Sequence, residues 1–305
     1  MRRLSIILAI VVGALFLGLA IPGSTPARVL LSIVSGDWKK EAALAPEGAA
    51  SVGQREQELP TLRAAVGAMV SPQWTYVAYR RIFEIVARRL DRRLIFVQRQ
   101  TYGEINELVA EGRVDLAWLC TGAISDLRQR GRFAVVAVPE VDGRQTYRSY
   151  LVVRHGSGIE GIEDLAGRTM VFTDPLSLTG RKVVLDWLGR HGRDPNSFFA
   201  SVFFSHGHDN SIRAVRRGLA DGACVDSLVY DYLARKRAAE VVGLRAVWKS
   251  QEFPIPPIVV SERADRDFGG KIRAILYSLE HDVVAGQALE EIGVDRLVPP
   301  EPGLY

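Results

Sequence analysis

From Thr61 onward the chain alternates short apolar runs with longer amphipathic stretches, and this rhythm restricts the fold more than any other feature. Runs at 62–70, 94–97, 114–119, 134–139, 149–154, 169–173, 201–204, 222–225, 245–249 and 258–261 predict strands. Stretches at 76–90, 102–111, 180–191, 210–218, 229–237 and 271–285 predict helices, with a single helical turn at 162–165. In the first of these, Val77, Ile82, Phe83, Ile85, Val86 and Leu90 form one apolar stripe at helical spacing. Strands that alternate with helices of this length are joined by crossovers, so they belong to parallel sheets of an α/β fold. Such sheets collect ligands at the carboxyl ends of strands, beside helix N-termini. The residues that follow each strand therefore carry the functional information.

Four strand ends stand out. In the first, Phe172-Thr173-Asp174-Pro175 turns into Ser177, Thr179 and Gly180 at the opening of a helix. Free backbone N–H groups and the positive helix end suit an anion there, and two hydroxyls add donors; an ordinary N-cap explains one of the hydroxyls equally well. The second, Ser205-His206-Gly207-His208-Asp209-Asn210-Ser211, places His208 as a donor to an anion, or else Asp209 or Asn210 as a helix cap beside solvated histidines. In the third, Asp226 ends a strand and Ser227 opens a helix; the carboxylate either accepts a hydrogen bond from a protonated oxyanion or caps. A fully ionised ligand would be rejected there, because unpaired like charges in a dry site are costly. The fourth is Cys120-Thr121-Gly122, where Cys120 is a small buried apolar residue or a thiol facing a ligand. Tyr76 and Tyr102, each early in a helix, either close over a ligand or pack in the core.

Composition and motifs exclude several classes. Basic and acidic residues number 39 and 35, for a net charge of +4, and they intermingle without a basic stripe carrying aromatics, which argues against nucleic-acid binding. There is no GxGxxG after the first strand, no GxxxxGK[ST] and no Cys/His cluster with zinc spacing, so no cofactor or metal is expected. Two cysteines do not make a disulfide scaffold. Arg2 and Arg3 precede an uncharged apolar run at 4–21, close to the roughly 20 residues a spanning helix needs. Residues 1–27 read as a signal peptide or a membrane anchor, and 28–60 as a linker. Positive charge before the run places the bulk of the chain outside the cytoplasm. That makes the periplasm the expected location, with membrane contact only through 4–21.

The segments VGAMVSPQWTYVAYRRIF, TYGEINELVAEGRVDLAWL, GIEDLAGRTMVFTDPLSLTGR, FFSHGHDNSIRAVRRGLADGACVDSLVYDYL and PIPPIVV resemble, in order, the phosphate, phosphite and phosphonate substrate-binding proteins of ABC transporters. These form the phosphonate-binding branch of the type II periplasmic binding proteins. The resemblance implies two α/β lobes, each a mainly parallel sheet flanked by helices, with a ligand held between them and a hinge that closes on binding. It implies ligand contacts from Tyr76, Tyr102, Ser177, Thr179, Gly180, His208 and Asp226; Cys120 and Thr121, at the fourth strand end, join them as candidates from their position alone. Leu178 interrupts the run of small hydroxyl residues usual in the family's loop, and Cys120 stands where a small residue or Gly is common. The implied function is capture of a phosphorus oxyanion for an ABC permease, not catalysis. A branch of the family senses arsenite through thiols, so a sensor module serving a histidine kinase is the alternative. A Cys-dependent hydrolase built on Cys120 with His206 or His208 is a third reading, with nothing in the sequence to force those residues together. On the implied fold, 61–154 and 255–305 make one lobe and 155–254 the other, with crossings at 150–154 and 253–258.

Overall fold

The computed structural model describes residues 59–262 and 266–305, without the side chains at 72–78, 266 and 267. The expected signal or anchor at 1–27, the linker through residue 58 and the side chain of Tyr76 lie outside the described residues. Among the described residues no helix is long and apolar enough to cross a membrane.

The chain opens with β1 (Thr61–Val66), α1 (Pro72–Arg89), β2 (Arg93–Val97), α2 (Tyr102–Ala110), β3 (Leu116–Trp118), α3 (Thr121–Arg130) and β4 (Phe133–Glu140). A short strand, β5 (Thr146–Tyr147), leads to β6 (Ser149–Arg154), β7 (Thr169–Phe172), α4 (Val183–Arg190), α5 (Pro195–Phe198), β8 (Ser201–Phe204), α6 (His208–Arg216), β9 (Gly222–Asp226), α7 (Ser227–Lys236) and β10 (Leu244–Lys249). A second short strand, β11 (Phe253–Pro254), leads to β12 (Ile258–Ser261), α8 (Arg266–Tyr277), α9 (Val283–Glu290) and β13 (Arg296–Val298).

These strands form two main sheets. The first has the order β13-β4-β12-β3-β1-β2 and the second the order β10-β6-β9-β7-β8. β5 and β11 pair antiparallel with each other, Phe253 opposite Tyr147 and Pro254 opposite Thr146, where the chain leaves the first sheet and returns to it. Residues 150–154, expected as a crossing, lie within β6 and pair with β9 and β10 in the second sheet. Each sheet with its helices is called a half below.

The α/β class expected from the rhythm is the one observed, but the sheets are mixed. β1 runs parallel to β2 and β3, and β7 parallel to β8 and β9. β12 and β6 run antiparallel to their neighbours, because each enters its sheet from the other half and not through a helical crossover. Central strands are apolar on both faces: Leu62, Ala64 and Ala65 of β1 are fully buried. α1 starts with Pro72 in its first turn and ends on Arg88 and Arg89, complementing the helix dipole. Its stripe of Ile82, Phe83, Ile85 and Val86 is buried against the first sheet.

The short elements α5, β5, β11 and β13 were not anticipated, and three longer stretches also differ from expectation. The run at 62–70 leaves the sheet after Val66, and Gly67–Ser71 forms a loop. Helix α3 was not anticipated; it starts at Cys120 without a side-chain cap and buries only Gly122, Ala123, Ile124 and Leu127. The single helix expected at 271–285 is two, because Asp282 breaks the run and caps α9 by accepting the N–H groups of Val284 and Ala285.

Candidate functional site

The loop after β7 turns on Ser177, whose Oγ accepts the N–H of Gly180 at 3.0 Å. Ser177 is thus a cap. Thr179, fully buried, has a hydroxyl with no hydrogen-bond partner among the described residues. Gly180 is required by packing: a Cβ there would lie 2.4 Å from Thr173 Oγ1 and 2.7 Å from Ser177 Oγ. The segment Leu178–Lys182 is a π-helical turn that runs into α4.

Two tyrosine hydroxyls share the condition of Thr179. Tyr102 opens α2, held by a capping box in which Thr101 and Glu104 bond reciprocally, and Tyr147 lies in β5. Both are buried, and both hydroxyls lack a partner. Burial pushes the Tyr102 phenol well up, and Cys120, Asp174, Tyr147 and Asp226 add to the effect, which places the phenol within electrostatic reach of all four. Thr121 and Thr179 face the Tyr147 hydroxyl and act against its burial, although neither closes a hydrogen bond of normal geometry. An unmatched buried hydroxyl costs about 1–3 kcal/mol, so three close together indicate a site built for something other than the protein's own groups.

Asp226 caps α7, its Oδ1 accepting the N–H of Leu228 at 2.8 Å. Burial pushes its carboxyl up to about 7; Asp231 adds to this, and the N–H groups of Leu228 and Val229 oppose it. The protonated form thus persists far above the usual carboxylate range. His208, at the start of α6, is almost fully buried, and burial pushes its imidazole down to about 3. Its Nδ1 accepts the backbone N–H of Asp226 at 3.1 Å and lies 3.1 Å from Thr173 Oγ1. The ring is neutral, and because Nδ1 accepts, its proton is on Nε2.

The remaining expected residues serve structural contacts. Thr121 Oγ1 donates to Pro254 O at 2.7 Å, tying α3 to the ribbon between the halves. The Cys120 thiol sits against the N–H groups of Leu178 and Gly122, yet burial pushes it up to about 11, so it is a thiol and not a thiolate. Tyr76 lies in α1, and its side chain is outside the described residues. Lys182 Nζ donates to Gly122 O at 2.6 Å, and Arg181 Nη1 to Pro175 O at 3.1 Å. Both cations stay charged, and the Arg181 charge acts on Asp174 at the site. α3 begins without a side-chain cap, and so does α1 after Ser71. A cavity of about 50 Å³ opens beside Asp226, walled by Val70, Tyr79, Trp118, Leu228 and Tyr232 among others. Among the described residues no group of His, Cys, Asp and Glu could hold a metal ion.

Sequence reasoning missed Tyr147, Asp174 and Asp209 as members of this assembly. Tyr147 lies in a two-residue strand that carries no pattern. Asp174 and Asp209 stood in the motifs, but nothing in the chain shows that they reach the opposite half.

The chain has clear relatives. A family model described as ABC transporter, phosphonate, periplasmic substrate-binding protein matches residues 65–305. The Phosphate-import protein PhnD of Mycolicibacterium smegmatis is 26% identical over 186 residues, which span 57% of this chain and 57% of that relative. A binding protein component of an ABC phosphonate transporter from Pseudomonas aeruginosa superposes with a TM-score of 0.74 at 19% identity, covering 79% of this chain and 81% of the other. PhnD1 from Prochlorococcus marinus, solved in complex with methylphosphonate, gives 0.73 at 17% identity, covering 80% and 94%. These structures share the two-sheet α/β fold. With the family model spanning both sheets and every residue of the site, the chain belongs to the phosphonate-binding family of periplasmic ABC-transporter substrate-binding proteins.

Proposed function

We propose that this chain captures a small phosphorus oxyanion (phosphate, phosphite or a phosphonate) between its two halves, and delivers it to an ABC permease. The observation that carries the reading is the cluster of three buried hydroxyls without protein partners, on Tyr102, Tyr147 and Thr179, beside Asp226. Each hydroxyl can donate to an anionic oxygen or accept from a protonated one. His208 Nε2–H adds a donor, and the uncapped N-terminus of α3 adds backbone N–H groups. Asp226 selects for an oxyanion that carries or can take up a proton.

In this reading 61–140 with 258–305, and 149–249, are the two lobes. The paired β5 and β11 are the hinge ribbon. The apolar run at 4–21 takes the chain across the membrane and tethers it on the periplasmic side. The relative that imports phosphate and the fold neighbour solved with methylphosphonate support the ligand class. The buried, protonated Cys120 thiol gives no footing to a cysteine nucleophile.

Isothermal titration of the full chain with phosphate, phosphite, methylphosphonate, sulfate and arsenite tests the reading. Binding of one or more phosphorus oxyanions, lost on Thr179→Val with Tyr147→Phe, is expected. Binding of none of them, or of arsenite alone, would overturn it.

A further inference from the structure

We propose that Asp174 and Asp209 are positioning residues of the ligand site. Each reaches from the second half to a helix N-terminus of the first, and together they hold the two walls closed without contacting the bound anion. The proposal rests on the ligand-binding reading above.

Asp174 lies in the loop after β7 and is 1% exposed. Its Oδ1 accepts the N–H of Leu176 at 2.8 Å, which shapes its own loop, and its Oδ2 accepts the N–H of Tyr102 at 3.1 Å. That amide belongs to the first residue of α2, the residue whose phenol is one of the unpartnered hydroxyls. Asp209, in α6, is also 1% exposed. Its Oδ1 accepts the N–H of Ser71 at 2.7 Å, and its Oδ2 takes Arg213 Nη2 at 2.5 Å. Ser71 precedes α1 and offers that helix no side-chain cap. Next to it, the N–H of His208 donates to Met69 O at 2.8 Å.

In both carboxylates each oxygen already accepts a hydrogen bond from the protein, and an ionised carboxylate offers an anion no donor, so neither is placed as a ligand contact. Both place negative charge at a helix N-terminus of the opposite half, where charge-assisted hydrogen bonds are strong. The partners are 72 and 138 residues apart in sequence, and these bonds exist only when the halves are together. Apparent affinity is the intrinsic affinity multiplied by the fraction of molecules in the closed state. Loss of a latch therefore weakens every ligand by one common factor. Loss of a contact residue changes the ratios between ligands.

The test uses the full chain with Asp174→Ala, Asp209→Ala and the conservative Asp174→Asn and Asp209→Asn. Affinities for phosphate, phosphite and methylphosphonate are measured by titration, and hydrogen exchange at the Ser71 and Tyr102 amides is followed without ligand. The Ala variants are expected to weaken all bound ligands by the same factor, about tenfold or more. They should also speed exchange at the facing amide. The Asn variants keep an acceptor oxygen and should recover part of both. Unchanged affinities, losses that differ between ligands, or amides that stay protected in the Ala variants would overturn the proposal. If the unaltered chain binds none of the three, the ligand reading fails, and the exchange measurement alone still decides whether the latches exist.

Discussion

The imidazole of His208 accepts the backbone N–H of Asp226 at 3.1 Å, and the two side chains titrate in opposite senses. Burial holds His208 at about 3, below the ordinary 6.5, and lifts Asp226 to about 7, above the ordinary 3.8. The His208 contribution is fully present above about pH 6.5 and is lost as pH falls towards 3, because the unfolded chain takes up the proton first. The Asp226 contribution has the reverse sign. It is fully present below about pH 4 and is lost as pH rises through 7. Between pH 4 and 6.5 the two slopes oppose each other, each at most about 1.4 kcal/mol per pH unit. Thermal melts across this window should show Asp226→Asn losing stability as pH falls and His208→Asn gaining it, with the unaltered chain flatter than both. Three parallel curves would contradict this.

The unpartnered hydroxyls predict stability and affinity moving in opposite directions. Tyr147→Phe and Thr179→Val each remove a buried polar atom that the protein itself does not use. Melting of the ligand-free chain should stay level or rise, by up to about 1–2 kcal/mol of stability. Affinity for the bound oxyanion should fall about tenfold or more for each. Melts and titrations on the same preparations give both numbers.

Two glycines that look alike in sequence should fail differently. At Gly180 an added methyl meets Thr173 and Ser177 within the same half. Gly180→Ala should therefore cost about 1–3 kcal/mol of stability whether or not ligand is present. At Gly122 the methyl would lie 2.3 Å from Leu176 O and 2.4 Å from Leu178 N, both on the opposite half. Separation of the halves relieves that clash. Gly122→Ala should melt within about 1 kcal/mol of the unaltered chain while losing most of its affinity.

Cys120 and Cys224 are both free and buried, with thiols pushed up to about 11 and about 12. A thiol reagent at pH 8 should label neither in the native chain and both after denaturation. Rapid native labelling at Cys120 would show that the site opens far more often than its packing implies.

Much of this architecture was legible in the residues. The strand-helix rhythm yielded the fold class, and the loops at Ser177, His208 and Asp226 were found because a parallel strand must deliver its functional residues at its carboxyl end. Helix α3 was missed because Thr121-Gly122 offers no cap and only Ala123, Ile124 and Leu127 keep helical spacing; the helix is held by tertiary contacts such as Thr121 to Pro254. The roles within the site were the least legible. Ser177 and Thr179 are both small hydroxyl residues of one loop, and only the fold shows that one caps a backbone N–H while the other is unpartnered. The reach of Asp174 to Tyr102 and of Asp209 to Ser71 depends on how the halves meet, which no local pattern encodes.

The place of β12 has a consequence for biosynthesis. Ile258–Ser261 inserts between β3 and β4 in the first sheet, yet it is made only after the whole second sheet. A nascent chain that has emerged as far as β10 holds every strand of the second sheet but only two separate fragments of the first, with the facing edges of β3 and β4 open. Open strand edges recruit other chains. The second sheet can therefore form early, while the first waits for the last fifth of the chain, and this interval is when the protein is most exposed to misassembly and has most need of a holding chaperone.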